Sequence, residues 1–196
     1  HIGKSLAPDV VLREMLHLCS ELLGLNRGRI VLADNLEALM DLPPGSSLKV
    51  ASASIRYAYG LTRDERERGH FRRGEGITGR VLATGQLIIV QDIDREPTFL
   101  CRTVQRDDLP PGPVSFIAMP VRVGLSTVGV LACHRIRHRY RSLADDLTIL
   151  GILATLIGQL LELRFTVEQR TRTLEAHNMA LTQALEASPA RYGIVG

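Results

Sequence analysis

Three cysteines, Cys19, Cys101 and Cys133, and six histidines are the side chains with a capacity for covalent or metal chemistry in this chain of 196 residues. An odd cysteine count without a CxxC spacing indicates neither a disulfide framework nor a zinc site, and it fits a reducing cytoplasm. Cys133 and His134 are adjacent, so in a strand they point to opposite faces and cannot act on each other as thiolate and base. Cys19 falls on an apolar helical stripe, where a free cysteine behaves as a small hydrophobe. Cys101 lies in a polar loop and is the one thiol expected to reach solvent, with no resolving partner in view. His70, beside a glycine-rich turn, reads as a surface residue without a partner to give it a catalytic role. No nucleophile is assigned.

Arginine dominates the formal net charge of +3, clustering from Arg63 to Arg73 and from Arg135 to Arg141. So small an excess implies local attraction of anions, and no aromatic interleaving supports base stacking on RNA or DNA. The run RDERER reads as a solvated helix face of mixed sign. Gly74, Gly76 and Gly79 fit the dinucleotide spacing G-x-G-x-x-G, yet that motif needs a strand immediately before it, and GLTRDERERGHFRR shows no strand pattern. The glycines are therefore turn formers. No GxxxxGK[ST] loop occurs, so neither ATP hydrolysis nor helix-turn-helix DNA binding is expected. No signal peptide or apolar run of transmembrane length is apparent, and the start at His1 suggests a piece of a larger protein.

The elements that must position these residues follow from periodicity. Val10 to Leu23 carries an apolar helical stripe bounded by Pro8, Asp9 and Gly24. Arg29 to Ala33 and Leu48 to Arg56 read as strands of a hairpin with a long connection, and DLPPGSS as a turn between them. After the glycines, Ile77, Val81 and Leu82 form a short helical stripe closed by Gly85, and Leu87 to Val90 has strand length and composition. Val114 to Val121 and Leu125 to His134 make a strand hairpin, with Pro120 expected near the end of the first strand. Ser142 is a plausible helix cap before SLADDLTILGILATLIGQLLELRF. Leu153, Leu160, Val167, Leu174 and Leu181 then recur every seven residues, with Ile157, Arg164, Thr171, Asn178 and Leu185 at the companion offset, a heptad pattern. Pro189 ends it.

The string GEGITGRV followed by REPTFL resembles the GAF domain of nitrogen-fixation transcriptional activators of the NifA, AnfA and VnfA type. The resemblance implies an α+β fold, a GAF-type antiparallel sheet flanked by helices with a long C-terminal helix. It divides the chain into a sensory domain over 1–163 and a coiled-coil linker helix over 164–196, whose ending RYGIVG looks like the run into the AAA+ ATPase of sigma-54-dependent activators. It implies a ligand-binding regulatory domain without catalysis, cofactor or metal. The input would be 2-oxoglutarate or a NifL- or PII-type regulatory protein, relayed through a homodimeric helix. It also places the segment after Arg72 near the ligand, making Arg72, Arg73 and Arg80 the candidate ligand-binding residues, Arg80 near a helix start where free N–H groups favour anions. The cyclic-nucleotide motif NKxnFx3DE is absent. A cyclic-nucleotide module, a cysteine-based methionine sulfoxide reductase, and a redox or metal sensor through Cys101 are the alternatives.

Overall fold

The structure, a computed structural model, describes residues 7–136 and 141–188; the helix stop expected at Pro189 and the RYGIVG ending lie outside the described residues. Helix α1 (Pro8–Leu23) opens on a proline whose fixed φ suits a first turn, and ends where Gly24 takes φ 63° and its N–H reaches the Cys19 and Ser20 carbonyls. The chain continues as β1 (Leu25–Ala33), α2 (Leu36–Met40), β2 (Ser52–Ala58), α3 (Arg63–Arg68), β3 (His70–Arg72), α4 (Gly76–Thr84), β4 (Ile88–Val90), β5 (Val114–Val123), β6 (Ser126–Ile136) and α5 (Leu143–Ala187). The strands form one sheet in the order β3-β2-β1-β6-β5-β4, with every neighbouring pair antiparallel.

Three expectations are corrected. Strand β3 lies just before the glycines, where no strand was expected: three residues cannot display a period, and β3 is fixed by pairing with Ser52, Ala53 and Ser54 of β2. It is an antiparallel edge strand, so the dinucleotide motif still lacks its parallel βαβ unit. Pro120 does not end its strand. It pairs with Val130 in mid-ladder, beyond Ala118, the last β5 residue paired to β4, where the missing N–H costs less. Third, α5 does contain an 18-residue window of mean hydropathy 1.6, long and apolar enough by composition to cross a membrane. Part of that apolar content is a core face, because Leu150, Ala154, Ile157 and Leu161 pack against the sheet.

The sheet is covered on both sides. Helices α1 and α5 lie on one face, and α4 with the loop from Glu96 to Pro113 on the other. Close approach decides two glycines: a Cβ at Gly79 would lie 2.2 Å from the Arg72 carbonyl oxygen, and one at Gly158 would lie 2.2 Å from that of Arg122. Gly79 thus lets α4 fold back on β3, and Gly158 lets α5 lie directly on β5. Helix α5 starts at Ser142, which accepts the Asp145 N–H at 3.1 Å, and is pinned by buried Asp146, bound to Arg135 Nε at 2.5 Å and to Arg141.

The companion row of the heptad is also displaced. Ile157 is buried against the sheet and Arg164 is tied to Asp9, so this row faces the domain's own core in its first two repeats. The outward stripe is instead Ile152, Leu156 and Leu163 running into Val167, Leu174 and Leu181. A helix that gives one face to a sheet can offer only the opposite face to a partner.

Candidate ligand cavity

Strand pairing assembles the site. Arg29 pairs with Ala132, Ala132 with Ala118, and His134 with Phe116, which puts Arg29, His134 and Phe116 on the sheet face turned towards α4. Phe71 of β3, Ile77 and Thr78 of α4, and Phe99, Cys101 and Thr103 of the following loop close over Arg29 and Phe116, leaving a cavity of about 20 Å³, while His134 lies beside it and lines the neighbouring surface pocket with Asp108 and Leu109. The cavity has room for about one water molecule, far below the roughly 300–1,000 Å³ of small-molecule sites.

The polar groups here are few and unusually bare. Arg29 is 3 % exposed and lies 5.1 Å from the Phe116 ring centre, with Nη1 donating to the Arg27 carbonyl at 3.2 Å. Its Nε has no partner among the described residues. Burial, reinforced slightly by Arg27 and opposed by Cys133 and Glu65, lowers its pKa to about 10, so the guanidinium stays charged at neutral pH. Glu65, the nearby carboxylate, spends its oxygens on Arg27 at 3.2 Å and on the capping box of α3. His134 is 1 % exposed, packed against Phe116 and Phe99, and neither ring nitrogen has a partner among the described residues. Burial first, then the charges of Arg29 and Arg27, hold it well below the usual histidine range, hence neutral. The Thr103 hydroxyl is buried and unpartnered as well. On the cavity's lining, a buried cation with a free donor and an unpartnered hydroxyl make an environment that lacks an anion.

The loop over the cavity is strapped down by arginines. Arg68 donates to the carbonyls of Arg102 and Thr103, each at 3.1 Å. Arg102 makes a two-pronged contact with Glu75, at 2.5 and 3.1 Å, and reaches the His70 carbonyl at 2.6 Å. The Arg102 bond, with a backbone bond from Arg72, lowers the Glu75 pKa to about 2. Cys101, at φ 47°, takes a left-handed conformation within this strap.

None of the three arginines expected to bind the ligand lines the cavity, whereas Cys101 does. Arg72 is exposed, since the alternation that buries Phe71 turns its neighbour outward. Arg73 donates to the Ala83 carbonyl at 3.1 Å and Arg80 to the Thr98 hydroxyl at 3.3 Å, both on the surface. Arg29 is not among the residues expected from the sequence to bind the ligand, although a signal existed: Arg29 shares its row with Val31 and Ala33, while Ile30 and Leu32 fill the other row, so the strand is buried on both faces. The thiols are inert by environment. Burial raises Cys19 to about 11 and Cys133 to about 12, and Cys101 is raised by burial and Asp94, the reverse of an activated nucleophile.

Residues 7–161 match the family model described as GAF domain. The chain belongs to the GAF domain family. This GAF domain is 34% identical over 169 residues to the nitrogen fixation protein VnfA of Azotobacter vinelandii, spanning 86% of this chain and 31% of that protein. It is 33% identical over 182 residues to the Nif-specific regulatory protein of Azospirillum lipoferum, spanning 91% and 27%. The chain thus spans about a third or less of the length of the curated relatives it matches. Among solved structures, the GAF domain of A. aeolicus Nlh2 in an inactive state superposes with a TM-score of 0.62 at 23% identity, covering 78% of this chain and 83% of that one. The free methionine-R-sulfoxide reductase of Neisseria meningitidis shares the fold at a TM-score of 0.56 and 19% identity, covering 84% and 81%.

Proposed function

We propose that this GAF domain is the sensory part of a sigma-54-dependent activator of nitrogen-fixation genes, a cytoplasmic regulator without catalytic activity of its own. It takes a small anion in the Arg29 cavity and passes the change through α5, paired as a parallel homodimer, to an ATPase domain. The relatives supply the regulatory context. The observation that carries the ligand assignment is the buried Arg29 guanidinium, whose Nε has no partner among the described residues, on the same cavity lining as the unpartnered Thr103 hydroxyl. An anion with a hydrogen-bonding oxygen satisfies both groups at once. The family suggests 2-oxoglutarate, whose carboxylate suits Arg29. Arg72, Arg73 and Arg80 then draw anions towards the mouth without holding them.

A cavity of about 20 Å³ cannot admit such a ligand until the strap from Phe99 to Thr103 lifts. Binding therefore selects an open form, and the ligand shifts the ATPase only as far as its affinity differs between closed and open. The same closure favours, as a second reading, a NifL- or PII-type protein that acts on the strap from outside. Calorimetric titration with 2-oxoglutarate tests the first reading. Arg29→Gln should lower the affinity about ten- to a hundred-fold, and Arg72→Ala, Arg73→Ala and Arg80→Ala only a few-fold. No heat from the unchanged protein removes this ligand; binding indifferent to Arg29 removes the cavity.

A further inference from the structure

A segment that lies on a core ordinarily settles its backbone N–H and C=O groups in a ladder, a helix or a turn. The strap over the Arg29 cavity does not: among the described residues, no backbone group of 100–104 has a backbone partner. Its ties run through side chains. Arg68, in the last turn of α3, holds the carbonyls of Arg102 and Thr103, and Arg102 grips the Glu75 carboxylate with both Nη atoms. Glu75 is itself fixed at the start of α4, where its carboxylate accepts the Arg72 N–H at 3.0 Å and its own N–H donates to the Arg72 carbonyl at 3.0 Å. The side chains of Arg102 and Glu75 are 32% and 33% exposed, so water competes for this pair.

The rest of the strap rests lightly. Gly76, at φ 61°, leaves a gap in which Leu100 sits, since a Cβ there would lie 2.7 Å from Leu100 Cδ1, and Leu100 is still 44% exposed. Cys101 holds a left-handed conformation that is strained for any residue with a Cβ. The flanks are firmer, with Phe99 packed edge-on against Phe116 at 5.0 Å and Thr103 and Val104 buried. Firm flanks and a middle held by exposed polar contacts mark a segment that opens before the domain unfolds.

We propose that residues 100–102 are a lid on the Arg29 cavity and that the Glu75–Arg102 pair is its latch. The inference rests on the reading of that cavity as the ligand site. With the lid shut only about 20 Å³ is left, so an anion binds the open fraction alone and its apparent affinity scales with that fraction. The latch is thus an autoinhibitory contact. Weakening it raises affinity although Glu75 touches no ligand.

Cys101 reports on the lid because it lines the cavity, while Cys19 and Cys133 are buried and report on opening of the whole domain. The test is alkylation of the whole chain by N-ethylmaleimide, followed at each thiol by peptide mass mapping, beside calorimetric titration with 2-oxoglutarate. Glu75→Gln should label at Cys101 about ten-fold faster with Cys19 and Cys133 unchanged, and Arg102→Lys, which keeps the charge and loses the fork, a few-fold faster. Arg73→Gln, whose guanidinium bonds the Ala83 carbonyl outside the strap, should label as the unchanged protein does. Glu75→Gln should also bind 2-oxoglutarate several-fold more tightly. Unchanged Cys101 labelling in both latch variants overturns the proposal, as does faster labelling in Glu75→Gln with level or weaker 2-oxoglutarate binding. If Glu75→Gln exposes all three thiols, the domain has loosened as a whole and Arg102→Lys decides on the same terms. No heat from any variant removes 2-oxoglutarate and with it the ligand reading, and the labelling then decides the latch by itself.

Discussion

His134 shows at one residue how burial becomes a pH response. The unfolded chain protonates this imidazole near pH 6.5, whereas the fold holds it neutral well below that through burial and the neighbouring Arg29 and Arg27. A base whose folded pKa is depressed favours the unfolded state once the pH falls below the unfolded value. Stability from this group is therefore whole above about pH 6.5 and declines below it by up to ~1.4 kcal/mol per pH unit. Glu75 adds a second loss with the same sign at lower pH, between its unfolded value of 4.5 and about 2 in the fold, as its bond to Arg102 protonates. Urea unfolding measured from pH 7.5 to 5 is expected to show a falling midpoint in the unchanged protein and a flat one in His134→Leu, which keeps the apolar contacts with Phe99 and Phe116. An equal slope in both would mean that His134 is solvated.

At the level of elements, the sequence was most informative where a period could run. The stripe of α1, the cap at Ser142, the closure at Gly85 and the β5–β6 hairpin are all present, because each rests on many residues agreeing or on backbone chemistry few residues can supply. What escaped is short or set by tertiary pairing: β3, α2, and the direction in which Arg29 points inside an otherwise apolar strand. The heptad seam was half visible for the same reason. Leucines every seven residues announce a stripe, but only the packing of α5 on β5 says which companion row remains outside. Two substitutions separate the faces of that helix. Gly158→Ala sets a Cβ against the Arg122 backbone and is expected to cost about 1–3 kcal/mol in chemical unfolding, as overpacking does. Leu156→Lys with Leu163→Lys, both on the outward face, should leave the monomer's unfolding midpoint nearly unchanged and shift sedimentation from dimer to monomer. A monomeric parent would remove the pairing.

Taken as a whole molecule, α5 has a part held against the sheet and an arm without such contacts, and the held part ends at Gln169. Up to that point α5 is held by the sheet, by Asp146 at its start and by the Arg164–Asp9–Tyr57 cluster near the sheet's end. Beyond Gln169, whose amide reaches Asp41 at 3.3 Å, the side chains of residues 170–187 are exposed. A helix of that length is marginal alone in water, and its exposed Leu174, Leu181 and Leu185 gain little until a second copy covers them. Under the proposed pairing, order in the arm depends on a second copy, and the angle at which the domain sets α5 decides whether the two arms meet. Amide hydrogen exchange reads this directly. In the unchanged chain the amides of 146–161 and of 172–185 should both be slow. In the Leu156→Lys, Leu163→Lys variant the first set should remain slow while the second exchanges at least ten-fold faster. If both sets stay slow, the arm is a self-sufficient helix and the proposed signal must travel by another route; if both become fast, α5 owes its seat on the sheet to the partner as well, and the boundary after Gln169 is not there.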